Sequence, residues 1–181
     1  MSVLPDHEIR ALGAALIDPF DPECVQPASY DLSLADEVLV PNRDHLGTGT
    51  VDLRRTFNPS LLQRLKISGS DYVLFPGECL LASTVETLRV PNDLVARVEG
   101  KSSIGRLFLT AHVTAGFIDS GFVGQVTLEI CNLGPWRVLL RPGMKIAQVN
   151  FTKLTQPCAR PYGSSGLGSH YQGQQGPTAA R

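Results

Sequence analysis

Gln125-Val-Thr-Leu-Glu-Ile-Cys131 alternates polar and apolar residues at every step. On an extended backbone this puts Val126, Leu128 and Ile130 on one face and Gln125, Thr127, Glu129 and Cys131 on the other. The stretch reads as a β-strand with its apolar face toward a core. Its second face is unusual, because glutamate is depleted in strands and costly to bury unpaired. A glutamate between Thr127 and Cys131 lines a polar pocket or sits at an open edge. In a pocket it can shuttle protons near neutral pH; at an edge it is merely solvated.

The same period-two pattern recurs on both sides of this stretch. It appears at residues 30–34 and in parts of 37–40, 72–74, 79–84 and 94–98, with further candidates at 117–119, 138–140 and 145–151. Turn signals separate them: Pro76-Gly77, Pro91-Asn-Asp93, Gly121, Gly124, Gly134-Pro135 and Pro142-Gly143. Many short strands at close spacing predict a mainly β fold, a barrel or jelly roll with short helices. Residues 6–16 read as a helix with Asp6 as N-cap and Ile9, Leu12 and Leu16 at helical spacing. Residues 58–65 read as a second short helix. No internal repeat is found.

The 181 residues suffice for one domain with a real core. Composition is that of an ordinary globular chain, 43% hydrophobic and 18% charged with a formal net charge of -1, so no basic excess argues for nucleic acid. The apolar runs are far shorter than a membrane span, and the first residues lack a basic-then-apolar signal segment. The expectation is a cytoplasmic protein partnered with neither membrane nor nucleic acid. Cys24, Cys79, Cys131 and Cys158 are scattered with no CxxC pair, and they read as small buried apolar residues rather than zinc ligands or a disulfide framework. From residue 157 the chain turns rich in Gly, Ser and Gln, with too little apolar payload to fold alone. Residues 1–156 are therefore read as the β domain and 157–181 as a flexible arm, either a plain terminus or a flap that orders over a ligand.

Two further constellations carry chemistry. Glu99-Gly-Lys-Ser-Ser-Ile-Gly-Arg106 is not a Walker loop, since the GxxxxGK[ST] spacing is absent. Yet Ser102 and Ser103 can donate to phosphate oxygens, and Lys101 and Arg106 flank them with positive charge. The same residues also fit a plain helix start with a solvated arginine. Ala115-Gly-Phe-Ile-Asp-Ser-Gly-Phe-Val-Gly124 has glycines where a hairpin needs them. In it, Gly116 allows close approach to the backbone, and Asp119 can bind a sugar hydroxyl, hold a metal, orient water or simply form a turn. No three-ligand zinc set and no Ser-His-Asp arrangement stands out.

Taken together, these segments resemble the dCTP deaminase family, a branch of the trimeric dUTPase superfamily. Gln26-Pro-Ala-Ser-Tyr-Asp-Leu32 is similar to that family's QPASYDL. Glu99 to Arg106, His112-Val-Thr-Ala115, Ile118-Asp119 and Thr127-Leu-Glu129 resemble its central signature. Pro142-Gly-Met-Lys-Ile146 with Gln148 resembles its PGMKIxQ, and Pro161-Tyr-Gly163 with Tyr171-Gln-Gly-Gln-Gln-Gly176 its closing arm. The resemblance covers nearly the whole chain.

It implies a distorted β jelly roll of the dUTPase-like type, assembled as a homotrimer with sites at subunit interfaces. The substrate would be dCTP carrying Mg²⁺ on its phosphates, with no metal held by the protein itself. Glu129 matches the catalytic glutamate that activates water against cytosine C4 without zinc. Lys101, Ser102, Ser103 and Arg106 match phosphate and active-site positions, Thr114 and Ala115 the segment beside the base, and Asp119 a sugar-binding position. Thr127 falls in the same signature. Tyr162, His170 and Gln174 match positions on the arm. Lys101 stands where many relatives have arginine, His170 where they have lysine or arginine, and Gln175 where some have arginine, so triphosphate recognition on the arm departs most from the pattern. Ala115-Gly116 followed by Phe117-Ile-Asp119 resembles the bifunctional branch, which forms dUMP directly. The alternatives are a dUTPase acting on dUTP alone, a non-catalytic nucleotide sensor on the same fold, and a specialised cytidine nucleotide deaminase.

Overall fold

The computed structural model describes residues 2–45, 50–52 and 54–181. In chain order the elements are α1 (Asp6–Leu12), β1 (Ile17–Asp18), β2 (Val25–Gln26), β3 (Ser29–Pro41), β4 (Leu62–Lys66), β5 (Tyr72–Leu74), β6 (Cys79–Arg89) and β7 (Leu94–Gly100). There follow α2 (Ser102–Gly105), β8 (Leu109–Thr110), β9 (Phe117–Ile118), β10 (Val123–Asn132), β11 (Val138–Leu140) and β12 (Lys145–Lys153). All pairings are antiparallel. The main sheet runs β8-β10-β6-β3-β12-β7-β9, with β1 on β6 and with β2 and β4 on β3, while β5 and β11 form a separate ribbon. The fold is mainly β, a curled antiparallel sheet of the distorted jelly-roll kind expected, with short helices.

The curl of the sheet centres on β3. Its first half pairs with β12 through Tyr30, Asp31, Leu32 and Ser33. Its second half pairs with β6 and β4, and an irregularity between Leu34 and Val38 separates the two. An extra residue at such a point bends a strand and raises its twist, so one strand serves both halves of the roll. The two segments that read as separate strands, 30–34 and 37–40, are thus one. The core fills the space between the halves: Tyr30, Leu32, Leu34, Leu128, Ile130, Val149 and Phe151 are all buried. Along β10 the alternation appears as expected, with Val126, Leu128 and Ile130 buried and Gln125, Thr127 and Glu129 half-buried.

Three local expectations are corrected. The predicted helix over 58–65 is a single 3-10 turn, Pro59–Leu61, followed by β4. Asn58 caps the start of the turn by accepting the Ser60 N–H, and the backbone that follows is taken up by the second half of β3, which ends it. Asp6 is the first helical residue rather than the cap; Pro5 holds the cap position without a side-chain bond, and α1 gives way to a 3-10 turn at Gly13. Cys79 and Cys131 are register partners on β6 and β10 and form a disulfide, with Cα atoms 4.1 Å apart. The reading as a small buried apolar residue holds for Cys24, which is free and buried; Cys158 is free and half-buried. Among the described residues no helix is long and apolar enough to cross a membrane.

Candidate active site

Glu129 stands mid-strand on the outward face of β10, paired with Leu81 of β6. The loop 112–116 passes in front of it, and the Val113 N–H donates to Glu129 Oε2 at 3.2 Å. Among the described residues Oε1 has no hydrogen-bond partner, so one carboxylate oxygen is anchored and the other is not, and Glu129 lines a cavity. That cavity, of about 420 Å³, is lined by Ala115, Asp119, Thr127, Glu129, Tyr162 and Gln174, with Phe117, Phe122, Tyr171 and Thr178 among the rest of its wall. Among the described residues two carboxylates line it and no Lys or Arg does.

Gly116 sets how close the loop comes. A Cβ there would meet the Val98 carbonyl oxygen at 2.6 Å and the His112 ring at 3.2 Å. Both backbone groups of Val98 face this residue, since the Val98 N–H donates to the Gly116 carbonyl at 2.8 Å. The His112 imidazole is wedged beneath, its Nδ1 buried without a hydrogen-bond partner among the described residues.

The arm forms the opposite wall. Gly121, at φ +87°, is where the chain from Pro161 and Tyr162 packs down, and a Cβ there would meet Pro161 at 2.5 Å. The Tyr162 hydroxyl accepts the Tyr171 N–H at 3.0 Å. Residues 172–178 then run beside the start of β10 like an added strand. The Gly173 N–H donates to the Val123 carbonyl at 2.7 Å, the Gln125 N–H to the Gln174 carbonyl at 3.1 Å, and Gln174 Nε2 to the Gln125 carbonyl at 2.6 Å. Gln125 Oε1 accepts the Gly176 N–H at 2.6 Å, and Thr127 Oγ1 accepts the Thr178 N–H at 3.2 Å. Gln174 lines the cavity, and its Oε1 is buried without a hydrogen-bond partner among the described residues.

The structure therefore brings together Ala115, Asp119, Thr127, Glu129, Tyr162 and Gln174. It places Lys101, Ser102 and Ser103 elsewhere, in a second recess with Gln26, Ser29, Asp31 and Gln148 that shares no lining residue with the first. Ser102 and Ser103 are exposed on the first turn of α2, and Arg106 at its C-cap is exposed with no ion pair among the described residues. Thr114 is exposed beside the loop and does not line the Glu129 cavity. His170 lies outside it, its ring edge-on to Tyr171 at 6.1 Å and its carbonyl accepting from Arg181 Nη1. Gln125, the arm's anchor, carried no signal in the sequence beyond its place on the polar face. No cluster of three or more His, Cys, Asp or Glu suited to a metal occurs among the described residues.

A family model described as dCTP deaminase-like matches residues 3–154. A Beutenbergia cavernae protein named dCTP deaminase, dUMP-forming, is 46% identical over 184 residues, covering 99% of this chain and 94% of that protein. A Mycobacterium marinum protein of the same name is 47% identical over 182 residues, covering 99% and 95%. The crystal structure of 2'-deoxycytidine 5'-triphosphate deaminase from Agrobacterium tumefaciens superposes with a TM-score of 0.66 at 28% identity, over 84% of this chain and 48% of that one. By a match running through nearly the whole β domain, and by relatives nearly half identical from end to end, this chain belongs to the dCTP deaminase-like family.

Proposed function

We propose that this protein hydrolyses dCTP to dUMP, ammonia and pyrophosphate, consuming two waters. Glu129 carries the reading. A carboxylate fixed through one oxygen by the Val113 N–H, on a half-buried residue that lines a cavity, is arranged to take a proton from water. That water adds to cytosine C4 and the proton Glu129 takes passes to N3; Glu129 then carries the hydroxyl proton to the exocyclic nitrogen, the C4–N bond breaks, and ammonia leaves as the C4 carbonyl forms. Asp119, on the cavity wall, offers its carboxylate to a sugar hydroxyl, and Gln174 lines the same wall. A second water attacks the α-phosphorus and the bond to the pyrophosphate oxygen breaks. Mg²⁺ enters with the nucleotide phosphates and lowers the charge the site must meet. Formation of dUMP rather than dUTP follows the names of the two relatives at 46% and 47% identity. Incubating the protein with dCTP, CTP, dCMP and dUTP plus Mg²⁺, then separating the nucleotides, tests this. Equimolar dUMP and pyrophosphate from dCTP is expected; accumulating dUTP without pyrophosphate would assign the chain to single-function deamination.

The same proposal includes a homotrimer. The wall of the Glu129 cavity contributes two carboxylates and no cation, whereas Lys101, Ser102 and Ser103 lie in a separate recess of the same chain. dCTP needs both, carboxylates for its base and sugar and donors for its phosphates, and closed cyclic symmetry lets the α2 region of one copy meet the Glu129 cavity of the next. A cytoplasmic setting goes with this reading. Light scattering that finds a fully active monomer would overturn the assembly.

A further inference from the structure

The recess around α2 is held in place from the far side of the chain. Lys101 is the N-cap of α2, yet no side chain caps that helix. Four residues of helix do not position themselves. What fixes their start is a set of side chains from β3 and β12. The Lys101 ammonium is hydrogen-bonded to Asp31 Oδ1 in an ion pair whose carboxylate side chain is only 5% exposed. Gln148 of β12 is the register partner of both Asp31 and Glu99, so it lies between β3 and the end of β7. Its Nε2 donates to the Gly100 carbonyl and its Oε1 accepts the Ser29 hydroxyl, each at 3.3 Å. Gly100 and Lys101 are thus tethered from residues of the Gln26–Leu32 segment and its partner strand. An ammonium carries three donors. One is committed to Asp31, and the others remain for the recess that Ser102 and Ser103 share with it.

From this arrangement we infer that Asp31 is a positioning residue for polyphosphate binding, acting through Lys101. The inference rests on the proposed dCTP reaction and adds a residue to it. Two roles for Asp31 predict opposite signs. If its negative charge only neutralised the recess, removing that charge would tighten phosphate binding and lower KM. If it holds Lys101 in the orientation that meets phosphate, removing it frees a long side chain and raises KM. The buried pair makes the second role the stronger one, because each partner is constrained by the cost of leaving the other unpaired.

The test is Asp31→Asn, alone and with Lys101→Met, assayed with dCTP and Mg²⁺ on the assembled protein. Asp31→Asn should raise KM about 10-fold, the effect of losing one charge-assisted hydrogen bond, while leaving kcat within about 2-fold. In the Lys101→Met background it should add nothing, because its route is gone. A KM that is unchanged or lower in Asp31→Asn, or an equal rise in both backgrounds, overturns the inference. If Asp31→Asn alone does not fold, Asp31→Glu, which keeps the negative charge but moves the carboxylate that holds Lys101, is compared with wild type. A raised KM then supports the role and a wild-type KM overturns it. Should the wild-type protein not turn over dCTP, the proposed reaction fails on its own. Calorimetry with inorganic tripolyphosphate then replaces KM: weaker binding by the variant supports the positioning role, and equal or tighter binding overturns it.

Discussion

Gly116→Ala probes the contact that brings the loop onto Glu129. The added Cβ would lie 2.6 Å from the Val98 carbonyl oxygen and must reach at least 3.0 Å, an opening of 0.4 Å or more. Val98 cannot yield easily. It is buried at 2%, sits inside β7, and its N–H is bonded to Gly116 itself. The His112 ring, 3.2 Å from the new atom, closes the other direction. The loop must therefore lift, carrying with it the Val113 N–H that holds Glu129 and the Ala115 that lines the cavity. Overpacking of this kind costs about 1–3 kcal/mol. For a chain of this length that is a fall in Tm of about 2–4 °C per kcal/mol. Misplacement of a reacting group by 1 Å lowers rate by about 100-fold, so an opening of 0.4 Å should lower deamination by about 6-fold or more, on top of the loss of stability. Thermal denaturation and single-turnover deamination of dCTP measure the two effects separately. A variant with wild-type Tm and wild-type kcat would show that the loop does not depend on the absent side chain, and would refute the argument.

Other perturbations follow from single contacts. Glu129→Gln keeps the shape and the Val113 bond but cannot accept a proton from water, so deamination should fall about 100-fold or more while nucleotide binding, read by calorimetry, survives. Gln125→Ala removes the acceptor for the Gly176 N–H and the side-chain bond to Val85, loosening the arm without touching the core; KM for dCTP should rise about 5-fold with Tm nearly unchanged, at about 1 kcal/mol for one such bond. Glu86 is buried with both carboxylate oxygens on the Ser33 N–H and no ion pair among the described residues, and burial pushes its pKa above the ordinary 4.5. The folded state then holds its proton more tightly than the unfolded one, so this group's contribution to stability is full below the ordinary value and is lost as pH rises through the raised one. In Glu86→Gln that loss should vanish, seen as a flatter Tm profile above about pH 4.5; a profile parallel to wild type would place the pH dependence elsewhere.

The strand carrying Glu129 was legible because its signal is local. Alternation along 125–131 depends only on neighbouring residues, and it correctly separated Val126, Leu128 and Ile130 from the polar face. Segment order and turn residues likewise sufficed for a mainly β roll. Register is not local. The pairing of Cys79 with Cys131 spans 52 residues of sequence, and that of Lys101 with Asp31 spans 70. Neither distance leaves a pattern, since it is the ladder between strands that brings them together. The same holds for residues 62–66, which lack strong strand character and become β4 because the second half of β3 offers them unpaired backbone groups. Sequence alone picked out residues whose side-chain chemistry suits a nucleotide. Tertiary structure decided that within one chain they form two recesses, because β10 and α2 are held by different parts of the curled sheet and only folding sets which side chains share a wall.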